Sequence, residues 1–207
     1  INADALYGED GDDLLDGGFS FDTDILVGGA GNDTLRGDSG LYEYDLMDGG
    51  AGDDIYWVDT GDDLTFEAVD GGNDTVHASI NVANAGVYLY ANVENLVLHG
   101  FTAFGVGNDL NNVLTGSEFD NWLLGGEGND RIEGRGGIDV LFGEAGADTF
   151  VYGAGAGIDL IGDFSVAEDV IADRPRSILA HLPHASRRTE TTAVLGRALD
   201  DLEYSLQ

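Results

Sequence analysis

A nine-residue periodicity constrains this chain more than any other feature. From Gly107 the sequence divides without a slip into five consecutive nonamers, GNDLNNVLT, GSEFDNWLL, GGEGNDRIE, GRGGIDVLF and GEAGADTFV, ending at Val151. Position six holds Asn112, Asn121, Asp130, Asp139 and Asp148, and position eight holds Leu114, Leu123, Ile132, Leu141 and Phe150. An N-terminal block repeats the unit as GEDGDDLLD from Gly8, GGAGNDTLR from Gly28 and GGAGDDIYW from Gly49. Between these lie two stretched copies, Gly17 to Val27 and Gly37 to Asp48, with two and three extra residues.

The residue types say what such a unit does. Glycine at positions one, two and four allows positive φ and a sharp turn. A short Asp at position six reaches back over its own turn. The three remaining residues suffice for a minimal strand whose middle side chain points to one face, and that face is the core. Two nonamers make one coil, so stacked coils give parallel sheets on two sides, with loop n over loop n+2. Asp13, Asp33 and Asp54 then line one edge, and Asp24 and Asp45 of the stretched copies share the other. A regular ion ladder is expected on the first edge and bulged loops with irregular or missing ions on the second.

Charge narrows the partners. With 40 Asp and Glu against 8 Arg and no Lys, the formal charge is −32, a polyanion that repels itself unless cations neutralise it. Nucleic acid and anionic membrane surfaces are therefore poor partners. A hydrophobic content of 43% is too high for a purely solvating tail. No cysteine is present, so a metal must be held by oxygen. No apolar run reaches the roughly 18 to 20 residues of a membrane-spanning helix. No secretory leader is visible before the repeats, and the chain reads as a fragment or processed piece.

The pattern GGxGxDxUx, with U apolar, resembles the repeats-in-toxin (RTX), or hemolysin-type calcium-binding, family. The resemblance covers roughly residues 1 to 171. It implies an all-β fold, a right-handed parallel β-roll of two sheets. The segments DTVHASINV and ANVENLVLHG look like the spacer between repeat blocks of RTX proteins, and ADTFVYGAGAGIDLIGDFSVAEDVI resembles the cap that closes such rolls. The implied organisation is a first block over 1–59, a β-rich spacer continuing the roll over 60–106, a second block with cap over 107–173, and a tail over 174–207.

The resemblance also implies several calcium ions, each held between stacked loops by position-six Asp and by carbonyls near positions one and three. Carried onto this sequence, the metal residues are Gly8, Asp10, Asp13 and Asp24; Gly28, Ala30, Asp33 and Asp45; Gly49, Ala51 and Asp54. In the second block they are Asn112 and Asn121; Gly125, Glu127 and Asp130; Gly134, Gly136 and Asp139; Gly143, Ala145, Asp148 and Asp159. The expected pairs are Asp13 with Asp33, Asp33 with Asp54, Asp130 with Asp148, and Asp139 with Asp159. Asn112 and Asn121 replace Asp, while Leu110 and Phe119 replace the second turn glycine, so the first coil of the second block is expected to bind weakly or not at all. Flexible oxygen donors suit calcium better than magnesium, which demands near-octahedral geometry.

No catalytic constellation emerges. GDSG at Gly37–Gly40 echoes a protease string but lies inside the repeat, and neither HExxH nor GxSxG occurs. His181 and His184 are separated by Pro183, which spoils helical metal spacing. Val76, Ala78, Ile80 and Val82 alternate as in a half-buried strand, leaving His77 toward solvent. Tyr88 and Tyr90 are read as packing residues rather than a sugar platform. The tail changes character from Arg174. Leu195, Leu199, Leu202 and Leu206 fall at helical spacing, and by resemblance a type I secretion signal would sit here, against the alternative of a poorly ordered terminus.

The function expected is calcium binding by an extracellular, secreted β-roll that folds on calcium after type I secretion. The alternative is the calcium-binding and secretion module of a larger enzyme (a protease, lipase, or polysaccharide epimerase or lyase) or of an adhesin. Expected partners are the type I secretion machinery and a cell-surface or extracellular polysaccharide.

Overall fold

The computed structural model describes residues 3–19, 22–37, 44–80, 86–153 and 155–173. Its strands run in chain order as β1 (Ala5–Asp10), β2 (Leu14–Asp16), β3 (Ile25–Ala30), β4 (Thr34–Arg36), β5 (Leu46–Ala51) and β6 (Ile55–Val58). They continue as β7 (Leu64–Phe66), β8 (Thr75–Ala78), β9 (Gly86–Tyr88), β10 (Asn95–Leu98), β11 (Phe104–Val106) and β12 (Val113–Thr115). The last are β13 (Trp122–Glu127), β14 (Arg131–Glu133), β15 (Val140–Ala145), β16 (Thr149–Tyr152), β17 (Leu160–Ile161) and β18 (Val170–Asp173). No helix occurs among the described residues, and the expected tail helix, with His181 and His184, lies outside them.

Pairing is parallel throughout and always skips one strand. The even-numbered strands form one nine-stranded wall from β2 to β18. The facing wall is split into a four-stranded sheet, β1-β3-β5-β7, and a five-stranded sheet, β9-β11-β13-β15-β17. The chain is therefore a β-solenoid, and its registers obey the repeat: Leu35 pairs with Tyr56, Leu26 with Met47 and Ile132 with Phe150. Strands β1, β3, β5, β13 and β15 are six residues long rather than the minimal three. Positions one to three of each following copy continue the ladder, as in the pairs Glu9 to Gly29 and Asp10 to Ala30.

Position eight builds the core. Leu15, Leu35, Tyr56, Val76, Leu96, Leu114, Ile132 and Phe150 are buried along the nine-stranded wall, facing Leu26, Met47, Val87, Leu123 and Leu141. Val76, Ala78 and Ile80 alternate inward as their pattern predicts; Val82 lies outside the described residues. His77 sits on the outer face, half-buried, stacked on Trp57 with ring centroids 4.5 Å apart and hydrogen-bonded ring to ring with His99 at 2.9 Å.

Two expectations change. Tyr88 and Tyr90 are exposed, and Val87 and Leu89 between and beside them are the core residues of that strand. The period-two alternation holds here, with the two tyrosines outside and the two aliphatic side chains inside. Glycine at position one does not have positive φ; it is required by crowding. A β-carbon on Gly17 would lie 2.7 Å from Asp24 Oδ2 and 2.9 Å from the Gly37 carbonyl oxygen. Where position four is glycine it takes positive φ, as at Gly31 with φ 132°.

Candidate metal centre

Position-six side chains form two ladders, one along each edge of the roll. On the first, the amide of Asp13 donates to Asp33 Oδ1 at 2.8 Å, Asp33 to Asp54 at 2.6 Å, and Asp54 to Asp74 at 2.8 Å. It then passes from Asp74 to Glu94 Oε2 at 2.8 Å. In the second block Asn112 donates to Asp130 at 2.7 Å, Asp130 to Asp148 at 2.9 Å and Asp148 to Asp169 at 3.0 Å. The other edge runs Asp4 to Asp24, Asp24 to Asp45 and Asp45 to Asp63, at 2.7, 2.8 and 3.1 Å. It resumes from Asn121 to Asp139 and from Asp139 to Asp159, at 2.8 and 3.2 Å. All four expected Asp pairs are thus neighbours. Residues 20–21 and 38–43 of the stretched copies lie outside the described residues.

In six rungs one carboxylate oxygen is used and the other is not. Oδ2 of Asp24, Asp33, Asp54, Asp74, Asp130 and Asp139 is buried and accepts no hydrogen bond, in side chains at most 1% exposed. Those of Asp24, Asp33 and Asp130 sit beside the position-one glycine of their own copy and the position-one carbonyl of the copy two ahead. A β-carbon on Gly28 would touch Asp33 Oδ2 and lie 2.6 Å from the Gly49 carbonyl oxygen. On Gly125 it would touch Asp130 Oδ2 and lie 2.7 Å from that of Gly143. Two acceptors converge with no donor between them, an arrangement that is costly in a low-dielectric interior unless a cation or proton joins them.

The asparagine copies supply the contrast. Asn112 Oδ1 accepts the Asn108 amide at 2.7 Å, and its Nδ2 donates to the carbonyls of Val93 and Glu94 at 3.2 Å. Asn121 Oδ1 accepts the Ser117 amide at 2.6 Å, and Nδ2 donates to Thr102 at 2.9 Å. Both amides are satisfied by protein alone. Asp63 behaves similarly, its Oδ2 accepting the amides of Asp59 and Thr60 at 3.1 Å. Asp169 Oδ2 accepts the Ser165 amide at 2.7 Å, closing the first edge.

Burial is the first cause that raises Asp54, Asp130, Asp139 and Asp159. Asp130 is pushed to about 6 by burial and by Asp148 and Glu144. Asp139 rises to about 7 by burial and by Asp159. Burial carries Asp159 to about 6. Asp54 reaches about 6 through burial and then Asp74 and Asp33. Such shifts describe carboxylates that need a positive partner to stay ionised.

Asp63, Asp74, Glu94 and Asp169 were missed from the sequence. For Asp74 a partial signal existed, since Gly72-Asn73-Asp74 repeats the GND end of the GGxGND turn, but the excursion at Val69–Asp70 hides its phase.

Fold and site together define an acidic parallel solenoid whose successive tiers converge unpaired oxygens on shared points. The chain belongs to the RTX calcium-binding nonapeptide repeat family: the family profile, a repeat of 4 copies, matches residues 2–23, 20–40, 43–64, 106–141 and 125–159, more than half of the sequence. A comparison with curated proteins gives no match. The donor set fits the ion this family binds, because it consists of oxygens on turns and contains no thiolate. Among the described residues no helix is long and apolar enough to cross a membrane.

Proposed function

We propose that the chain is an extracellular calcium-binding β-roll that orders on binding several ions after type I secretion. Its ions sit between stacked tiers. Asp13, Asp33, Asp54, Asp24 and Asp45 serve the first block, with carbonyls of Gly8, Asp10, Gly28, Ala30, Gly49 and Ala51. Asp130, Asp139, Asp148 and Asp159 serve the second, with carbonyls of Gly125, Glu127, Gly134, Gly136, Gly143 and Ala145. The tiers of Asn112 and Asn121 bind weakly or not at all.

The observation that carries this reading is the buried, unpartnered Oδ2 repeated in the Asp tiers and absent from the Asn tiers. The energetics agree. Each nonamer buries little more than one large side chain, worth roughly 1.5–3 kcal/mol, while ordering backbone costs ~1–2 kcal/mol per residue. An ion at ~100-fold excess over its dissociation constant adds roughly 2.7 kcal/mol per site. Calcium-poor cytoplasm then keeps the chain open for export, and the exterior folds it.

Circular dichroism of the purified chain in chelator, with calcium and with magnesium tests this. Calcium alone is expected to produce the β signal cooperatively. A chelated sample with full β signal and an unchanged melting temperature overturns the proposal.

A further inference from the structure

Where the first block meets the residues that follow, the repeat is broken in one informative way. Strands β5 and β7 pair Asp48 with Phe66, so the next residue, Glu67, stacks on Gly49 and occupies position one of its copy. A carboxylate stands where the other tiers place glycine. The chain then makes a two-residue excursion through Val69 and Asp70, the latter at φ 59°. It returns through Gly71 to Asp74, whose amide and carboxylate rejoin the first-edge ladder.

The side chain of Glu67 is held rather than free. Tyr56, a core residue at position eight, brings its hydroxyl to the turn, where it accepts the Gly49 amide at 2.7 Å and donates to Glu67 Oε1. Glu67 Oε2 accepts the Ala68 amide at 3.2 Å, and the Glu67 carbonyl accepts Asn92 Nδ2 at 3.0 Å. Oxygens of Asp54, Glu67 and Asp74 lie within 4.8 Å of one another. Asp54 and Asp74 are 1% and 0% exposed, and Oδ2 of each accepts no hydrogen bond. A β-carbon on Gly49 would touch Asp54 Oδ2 and lie 2.6 Å from Glu67 Oε1, so the unpartnered oxygen and the glutamate face the same point.

We infer that Asp54, Glu67 and Asp74 form a separate divalent-cation site, richer in side-chain carboxylate than the repeat tiers, which joins the first block to the spacer. Glu67 and Asp74 lie outside every segment matched by the family profile. The inference rests on the proposed calcium reading for the identity of the ion and extends it to a site that the nonapeptide does not encode. Three carboxylates against one or two per tier raise the charge count, which is what tunes affinity in oxygen sites. This site therefore fills first as calcium rises. Removing Glu67 does not orphan Tyr56, because the Phe66 carbonyl lies 2.9 Å from its hydroxyl.

Calorimetry and native mass spectrometry with calcium, on the whole chain, read the site. Glu67→Gln is expected to weaken the tightest class of ion at least about tenfold and leave the later ions unchanged. Glu67→Gly restores the residue that other copies carry at this position, so it keeps the turn if the amide variant fails to fold, and the same loss is expected. Unchanged binding of the first ion in the folded variant overturns the inference and marks Glu67 as a protonated acid held by Tyr56. Absence of calcium binding by the unaltered chain overturns the proposed function instead, so the two failures are distinguishable.

Discussion

The amide of Asp33 donates to Oδ1 of Asp54 at 2.6 Å across adjacent coils, while Oδ2 of both side chains stays buried without a partner. One oxygen of each carboxylate builds the solenoid and the other is left for a cation. Folding and ion binding therefore share the same residues, and substitutions at position six should affect both.

Asp130 accepts the Asn112 amide through Oδ1 and leaves Oδ2 unpartnered. Asp130→Ala is expected to raise the calcium midpoint for folding by about tenfold or more, equivalent to roughly 1.4 kcal/mol or more. Asp70 is exposed on the excursion after Glu67, at φ 59°. Asp70→Asn, which tolerates that backbone region, is expected to leave the midpoint in place. Calcium titrations followed by circular dichroism compare the two, and equal shifts would show the register to be wrong.

Asn121 is satisfied by the Ser117 amide and the Thr102 carbonyl. Asn121→Ala leaves those groups without their partner at a cost of about 1–3 kcal/mol. A lower melting temperature in saturating calcium, with the same number of bound ions by mass spectrometry, is the expected result. Loss of an ion would instead make Asn121 a ligand.

Without calcium, protons can substitute. Burial first, then neighbouring carboxylates, raises Asp54, Asp74 and Asp130 to about 6 and Asp139 to about 7. Burial likewise takes Glu67 to about 8. A folded value above the unfolded one means that folding favours the protonated acid. That contribution is complete below the ordinary carboxylate range near pH 4 and is lost as pH rises through about 6 to 8. In chelator, β signal and melting temperature are expected to be highest at about pH 4 and to fall as pH rises through this window, with calcium restoring both at pH 8. A flat profile in chelator would mean that these acids are not buried together.

Much of the site was legible because the repeat supplies its own partners. Position eight as core, position six as an edge ladder and the alternation of copies between two edges all follow from a fixed period, and Leu35 over Tyr56 or Asp33 beside Asp54 needed nothing else. Glu67 was illegible, and the phase of Asp74 hidden, because the excursion at Val69–Asp70 breaks the count that register depends on. The self-satisfied state of Asn112 and Asn121 was equally hidden, since it depends on carbonyls of Val93, Glu94 and Thr102 from other turns.

The linear order of residues was enough to determine that this chain winds as a parallel solenoid with acidic edges, because a nine-residue phase places position eight of each copy in the core. Only the tertiary structure decided which carboxylate oxygens are left unpaired. Hydrogen-bond satisfaction is a property of the partners a group meets in space: Asp33 and Asp63 look alike in the chain, yet one keeps a bare buried oxygen and the other is closed by its own turn.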